Sequence, residues 1–451
     1  MTEQLLARDG VLRKETLHAS VASPLLDTMT FLNEITLRYP EAVSFAPGRP
    51  YDGFFGNEQI FGYVRGYLDH LADQGRSDEE IRTLLFQYGP TPGLIRTVIA
   101  ESLARDEGIE VPPESIVVTV GAQEGMLLTL RALFAGPEDV LLVASPCYVG
   151  ITGAACLLNL PVTPVPERAD GLHCADVEAA ILAERAKGRR ARAFYVVPDH
   201  SNPSGTTMDP RSRRELLDLA ARHGVLVLED TPYRLVSPGT PHPTLKSLDR
   251  DRGVVHIGSF SKSVFPGARV GFVVADQPVA DAGGRTGLLA DELAKIKSMV
   301  TVNTPALSQA AVAGVLLAAD GRLSRFNDPA ADYYGEAMRT TLAALDRHLP
   351  PARRAALGVD WNHPTGGFFI RVEVPFAADE AALHRSADEF GVIWTPMSYF
   401  HPEGGGHRQL RLSTSYLSAE EIEQGIARLT AFIEAQAAAP AVAAPGDSPD
   451  S

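Results

Sequence analysis

The chain has 451 residues, 45% of them hydrophobic and 22% charged, with a formal net charge of −15. That length suits two domains and a sizeable core. The acidic balance disfavours nucleic acid or an anionic membrane as the main partner, so any anionic ligand needs a local basic site.

Cys147, Cys156 and Cys174 have neither CxxC nor metal-ligand spacing. Neither a disulfide framework nor a metal site is expected, and a reducing cytoplasm is the default compartment. The N-terminal residues lack the apolar run of a signal peptide.

Residues 1–44 read as an N-terminal arm with a partly helical pattern, leading into Ser44-Phe45-Ala46-Pro47-Gly48-Arg49-Pro50. Gly48 between prolines suits a backbone that approaches a ligand closely, although a plain turn has the same composition. A helical pattern over 58–85 is broken at Gln87-Tyr88-Gly89-Pro90. Strands and helices then alternate. The β-branched run Ile116-Val117-Val118-Thr119-Val120 predicts a strand. It runs into Gly121-Ala122-Gln123-Glu124-Gly125 and a helix with apolar positions Met126, Leu127, Leu130, Leu133 and Phe134. N–H groups and the positive helix end favour a phosphate at such a turn. Many α/β proteins have a small residue there, so the turn alone is weak evidence.

No charged residue occurs from 140 to 166, but Pro146, Gly150, Gly153 and Asn159 interrupt the run. It reads as strand, loop and buried helix rather than a membrane span. Tyr148, just past the strand, can stack on a flat ring or fill the core. After a strand over 194–197, Asn202 sits in an Asn-Pro-x-Gly turn and presents an amide able to donate to a phenolate oxygen. His200 beside it reads as a positioned polar residue rather than a base. A helix over 211–223 and a strand over 225–228 lead to Glu229, Asp230 and Tyr233. An acid ending an apolar strand is costly without a partner, and a pyridinium nitrogen or a buried arginine would serve.

The next apolar strand, with Val254, Val255 and Ile257, ends in Ser259-Phe260-Ser261-Lys262, and Arg269 follows before the strand 271–274. Lys262 can form a Schiff base with an aldehyde, and Ser259, Ser261 and Arg269 can hold its phosphate. A surface lysine in a Ser-rich loop is the other reading. Asp230 and Lys262 are 32 residues apart, room for one crossover and one strand. Both would then lie at the carboxyl edge of neighbouring strands, where open α/β sheets bind ligands. Residues 290–320 are helical in pattern. Beyond about 330 a long helix (329–348), strands at 366–372, 392–394 and 409–413 and a final helix (418–436) predict a smaller α+β domain. The expected division is 1–44 arm, 45–325 large domain, 326–436 small domain and 437–451 disordered tail.

As a set, Asn202, Asp230, Tyr233, Lys262 and Arg269 stand in the order and rough spacing of fold-type I aminotransferases of class I and II. The chain resembles that family over residues 30–435. The resemblance implies an α/β fold: a large domain with a mostly parallel seven-stranded sheet plus a smaller α+β domain. It also implies pyridoxal 5'-phosphate as cofactor, an electron sink tuned by the groups around it. On that pattern Lys262 is the Schiff-base lysine, Asp230 the partner of the pyridinium nitrogen, and Asn202 and Tyr233 hold the phenolic oxygen. Tyr148 stacks on the ring. Ala122, Gln123, Ser259, Ser261 and Arg269 cup the phosphate, with Tyr88 supplied by the other subunit of a homodimer. Lys262, Asp230 and Tyr233 form the catalytic set. Arg411, in Arg411-Leu412-Ser413, resembles the arginine that binds the substrate carboxylate, with Gly48, Arg49 and Asn202 beside it.

A narrower likeness lies in Ser44–Pro50, in Val120-Gly121-Ala122-Gln123-Glu124, in Tyr148-Val149-Gly150-Ile151-Thr152-Gly153 and in the run from Ala294 to Asn303. These resemble actinobacterial arylglycine aminotransferases, which make hydroxyphenylglycine and dihydroxyphenylglycine for peptide antibiotics. Enzymes of lincosamide pathways are similar to that subgroup and act on cysteine S-conjugates by β-elimination or decarboxylating oxidative deamination. The expected function is therefore transfer between an amino acid and a 2-oxo acid in specialised metabolism, with the lyase or oxidase chemistry as the alternative. A cofactor-binding regulator would need a DNA-binding module, and none is read in the sequence. Arg49 stands where broader relatives often carry an apolar residue and would suit an acidic or polyol substrate. Cys147, His200 and Thr231-Pro232-Tyr233-Arg234 also depart from commoner forms.

Overall fold

The computed structural model describes residues 11–168 and 170–438. The first ten residues of the expected arm and residues 439–451 of the expected tail lie outside them.

The largest sheet has the strand order Ile116–Thr119, Gly271–Val274, Val254–Ser259, Leu226–Asp230, Arg190–Val196, Asp139–Ser145, Val162–Arg168, Gly171–Leu172. The five strands from Val254–Ser259 to Val162–Arg168 run parallel to their neighbours. Gly271–Val274 is antiparallel to both of its partners. Seven strands match the expectation. The eighth is a two-residue hairpin return, in which Gly171 pairs with Arg168 and adopts φ 108°, a conformation open to glycine.

The strands are apolar on both faces because helices cover both. Alternation sends Leu141, Val143, Leu228, Val255 and Val273 to one cluster and Val140, Leu142, Val227 and Val254 to another. The first cluster packs under the helices Gly121–Leu133, Val149–Leu157 and Leu289–Val300. The charge-free stretch resolves into a strand, a loop and the nine-residue helix Val149–Leu157. No helix among the described residues is long and apolar enough to cross a membrane.

The helical pattern over 58–85 is two helices, Asn57–Asp73 and Asp78–Phe86. Ser77 caps the second: its Oγ accepts from Glu80 N–H while the Glu80 carboxylate accepts from Ser77 N–H at 2.8 Å. C-terminally, an antiparallel sheet orders Asp360–Trp361, Phe369–Glu373, Gln409–Ser413 and Thr395–Pro396. The helices Asp328–His348, Glu380–Phe390 and Ala419–Ala438 surround a separate core there, built on residues such as Trp394, Leu412 and Phe432. Phe45 and Ala46 belong to that core too. Val43–Ser44 pairs in parallel with Val392–Ile393. The segment Phe45–Pro50 is thereby drawn across the face where the two cores meet.

Candidate active site

A cavity of about 330 Å³ opens at the carboxyl ends of the central strands. Asp230 ends one strand and pairs in register with Ile257 of its parallel neighbour, which ends at Ser259. Asp230, Ser259, Ser261, Lys262 and Arg269 all line this cavity, as do Ala122, Gln123, Tyr148, Asn202, Tyr233, Gly48, Arg49 and Arg411. Of the residues singled out in the sequence, Tyr88 does not reach it: its side chain is 83% exposed and lies in a surface groove with Tyr67 and His70.

Asp230 is 3% exposed. Tyr195 Oη donates to its Oδ2 at 2.6 Å, and Oδ1 has no hydrogen-bond partner. Burial lifts the carboxyl to about 6, with the Tyr195 hydrogen bond acting against the rise. A buried carboxylate oxygen lining a cavity without a donor suits a cationic N–H there, such as a protonated ring nitrogen. Lys262 lies across the same cavity. Burial brings its ammonium down to about 8, and the positive charge of Arg269 adds to the effect. An amine of that basicity is available as a nucleophile near neutral pH.

The anion-binding corner is built from backbone. The helix Gly121–Leu133 begins directly after its strand, so the N–H groups of its first turn point outward. Arg269 adopts φ 49° and donates from Nη1 to Ser261 Oγ at 3.3 Å. Its guanidinium lies where a Cβ on Gly121 would stand, and Gly121 itself has φ 73°. Gly271 is equally constrained, since a Cβ there would meet Ala122 N at 2.7 Å and Gly258 O at 2.9 Å. Free N–H groups, a guanidinium and two serine hydroxyls suit a phosphate.

Arg411 comes from the C-terminal sheet, yet it is 3% exposed and reaches this cavity. Nη1 donates to Asn202 Oδ1 at 2.7 Å and Nη2 to Ala46 O at 2.7 Å. The guanidinium carbon lies 4.4 Å from the centre of the Phe369 ring and 4.7 Å from that of Phe400. Burial lowers its pKa to about 10, so the group stays cationic at neutral pH. Among the described residues Nη1 has Asn202 as its one partner, so its second N–H is left for a carboxylate. Asn202 Nδ2 donates to Tyr233 Oη at 3.3 Å, so one amide joins the arginine to the phenol. Gly48 packs against Phe369, where a Cβ would lie 2.5 Å from the ring.

His200 does not line the cavity. Its Nδ1 lies 3.3 Å from Thr207 Oγ1, and burial brings the ring down to about 4, so it is neutral at physiological pH. Arg49 is exposed at the rim, its guanidinium 4.5 Å from the centre of the Tyr416 ring. Sequence reasoning missed Tyr195, which braces Asp230, and Phe400 and Phe369, which flank Arg411. Tyr195 had a signal, being on the same face of its strand as Ala193 in the cluster that also holds Leu228 of the Asp230 strand. The phenylalanines had none, because only tertiary packing brings them to Arg411.

The profile of the family described as "Aminotransferase class I and II" matches residues 69–429. The chain is 47% identical over 426 residues to an (S)-3,5-dihydroxyphenylglycine transaminase of Amycolatopsis orientalis, covering 94% of this chain and 95% of the relative. It is 32% identical to a 2-aminoadipate transaminase of Thermus thermophilus, covering 89% and 92%. Among solved structures it is similar to an archaeal alanine:glyoxylate aminotransferase, with TM-score 0.79 and 26% identity over 94% of this chain and 99% of that one.

Proposed function

The chain belongs to the class I and II aminotransferases and is a pyridoxal-phosphate-dependent enzyme of fold type I, and on that basis we propose that it aminates an aryl-substituted glyoxylate to an arylglycine in antibiotic metabolism. The observation that carries the substrate class is 47% identity, over nearly the whole of both chains, to a dihydroxyphenylglycine transaminase. The elimination and decarboxylation alternatives gain no support, since that relative is a transaminase.

When bound, pyridoxal phosphate supplies an electron sink for the bond broken at the substrate's α-carbon. The residues do the rest. Lys262 would hold the aldehyde carbon through its amine and, when free, would carry the proton at the α-carbon as a general base. Asp230, braced by Tyr195, would keep the ring nitrogen protonated through its negative charge in a low-dielectric site. Asn202 and Tyr233 would hold the phenolic oxygen, and Tyr148 would stack on the ring. Ala122 and Gln123 N–H groups, Ser259, Ser261 and Arg269 would hold the phosphate. Arg411 would fix the substrate carboxylate and so orient the α-carbon. Gly48 and Arg49 border the side-chain space.

Mass spectrometry of products tests the assignment. Purified protein with 3,5-dihydroxyphenylglyoxylate should form dihydroxyphenylglycine only when an amino donor is present, with a matching amount of new 2-oxo acid. Release of ammonia or carbon dioxide without an acceptor would instead select the lyase or oxidase reading.

A second copy of the chain is proposed to bring Tyr88 to the phosphate corner. The support is a set of large apolar side chains left exposed in one chain, among them Phe61 at 68%, Phe86 at 75% and Met299 at 85%. A protein of single-chain mass in sedimentation equilibrium would remove this part of the proposal.

Arg411→Ala should raise KM for both amino acid and 2-oxo acid by about 10²-fold, because a buried charged hydrogen-bonding partner is lost. Arg411→Lys should recover little, since an ammonium cannot offer the same fork. Unchanged KM values in steady-state kinetics would refute the role.

The depressed basicity of Lys262 gives a pH test. Below about 8 the neutral amine falls about tenfold per pH unit. Cofactor-free protein should therefore capture pyridoxal phosphate at a rate that climbs with pH and levels off near that value. Stopped-flow absorbance reads the rate, and a plateau only near pH 10.5 would mean an ordinary exposed lysine.

A further inference from the structure

Behind the phosphate corner lies a buried charged unit that none of the roles above uses. Glu124 stands in the first turn of the helix Gly121–Leu133. Its Oε2 accepts the N–H of Val120 at 2.6 Å. Lys297, on the helix Leu289–Val300, is fully buried and donates from Nζ to the same oxygen at 2.7 Å. Nζ also donates to Thr301 Oγ1 at 2.8 Å, and that hydroxyl donates to Glu124 Oε1 at 2.6 Å.

The turn carrying Thr301 is tightly held. Thr304 Oγ1 donates to Val118 O at 3.0 Å, and Val302 N–H donates to Lys297 O at 3.2 Å. Val302 has φ 66°, a left-handed conformation that a β-branched residue adopts only when its surroundings impose it.

The electrostatics are unusual for a phosphate corner. The positive end of a helix favours one anion, and here a carboxylate is already fixed in the first turn, beside Ala122 and Gln123. Two anions at one helix end repel, and the burial of Glu124 weakens solvent screening on its side, although Gln123 and Arg269 on the phosphate side are exposed. Among the described residues, Lys297 is the cation that touches this carboxylate.

We propose that Lys297 is a positioning residue that neutralises Glu124, keeping the helix N-terminus available to the cofactor's phosphate, so that the charge balance of this pair sets phosphate affinity. The proposal rests on the reading of Ala122, Gln123, Ser261 and Arg269 as the phosphate cradle. It makes opposite predictions for the two partners. Removing the cation leaves a bare negative charge beside the phosphate. Removing the anion leaves a positive one.

The experiment titrates cofactor-free, full-length protein with pyridoxal phosphate and, separately, with pyridoxal. Absorbance gives both dissociation constants, and their ratio reports what the phosphate contributes. Lys297→Met should lower the phosphate preference about tenfold and Glu124→Gln should raise it by a similar factor. The double substitution should return it near the wild-type value. A merely structural role would weaken both ligands together and leave the ratio unchanged. If Lys297→Met does not fold, a rise in Glu124→Gln cancelled in the double variant still sustains the proposal. An unchanged ratio, or shifts of the same sign in both single variants, overturns it. Arg269→Met separates the two readings. If it leaves the ratio intact, the cradle assignment itself fails; if it collapses the ratio while the Glu124 and Lys297 variants do nothing, only the present proposal fails.

Discussion

Lys262→Ala should lose amino transfer by at least about 10⁴-fold, since the nucleophile and the proton carrier vanish together. Lys262→Arg should fare no better, because a guanidinium keeps its proton at any workable pH. The Ala variant should not be destabilised, whereas the Arg variant should melt lower, because its cation cannot shed its charge beside Arg269. The wild-type ammonium is held well below its ordinary basicity by burial and by Arg269, so the fold gains nothing from that charge. The cofactor should still bind to the Ala variant through its phosphate and ring, without the absorbance of a lysine-linked aldehyde. Coupled-assay rates, cofactor content after dialysis and a thermal melt read these outcomes together. Turnover within tenfold of wild type would end the assignment of Lys262.

Asp230→Asn should cut kcat by about 10³-fold, on the scale of losing a charged stabilising group in a water-excluded site. The folded protein should not suffer. Raising the carboxyl from 3.8 to about 6 corresponds to about 3 kcal/mol of burial cost. The sign follows from the raised value: the cost is fully present above pH 6 and disappears as pH falls below 3.8. The cofactor-free Asn variant should therefore melt no lower than wild type at pH 7.5 while being nearly inactive. Tyr195→Phe supplies the graded control. It removes the 2.6 Å hydrogen bond that stabilises the carboxylate, so the acid limb of kcat/KM should move to higher pH. An Asn variant with near-normal kcat, or a Phe variant whose limb moves to lower pH, would show that Asp230 does not act through its charge.

Residues near one another in sequence were the readable part of the site. Ser259, Ser261, Lys262 and Arg269 fall within one strand end and the turn after it. Gly121, Ala122 and Gln123 are likewise a single strand-to-helix turn. Local composition carries such features, because the strand's apolar run and the turn's small residues leave few alternatives. Asp230 was readable for the same reason, as an acid closing an apolar strand. Arg411 was reached through resemblance, not periodicity. Its partners Asn202, Ala46 and Phe369 come from three distant stretches.

The alternation of elements, the strand ends that carry Asp230 and Lys262, and the class of chemistry those side chains allow are all legible in local composition. Packing alone brings Tyr195 to Asp230, sets Phe369 and Phe400 against Arg411, leaves His200 outside the cavity, and pairs Lys297 with Glu124 across 173 residues. The physical reason is range. Backbone preference and hydrophobic period act over a few neighbouring residues, whereas a buried charge takes whichever partner the packed chain brings within hydrogen-bond distance.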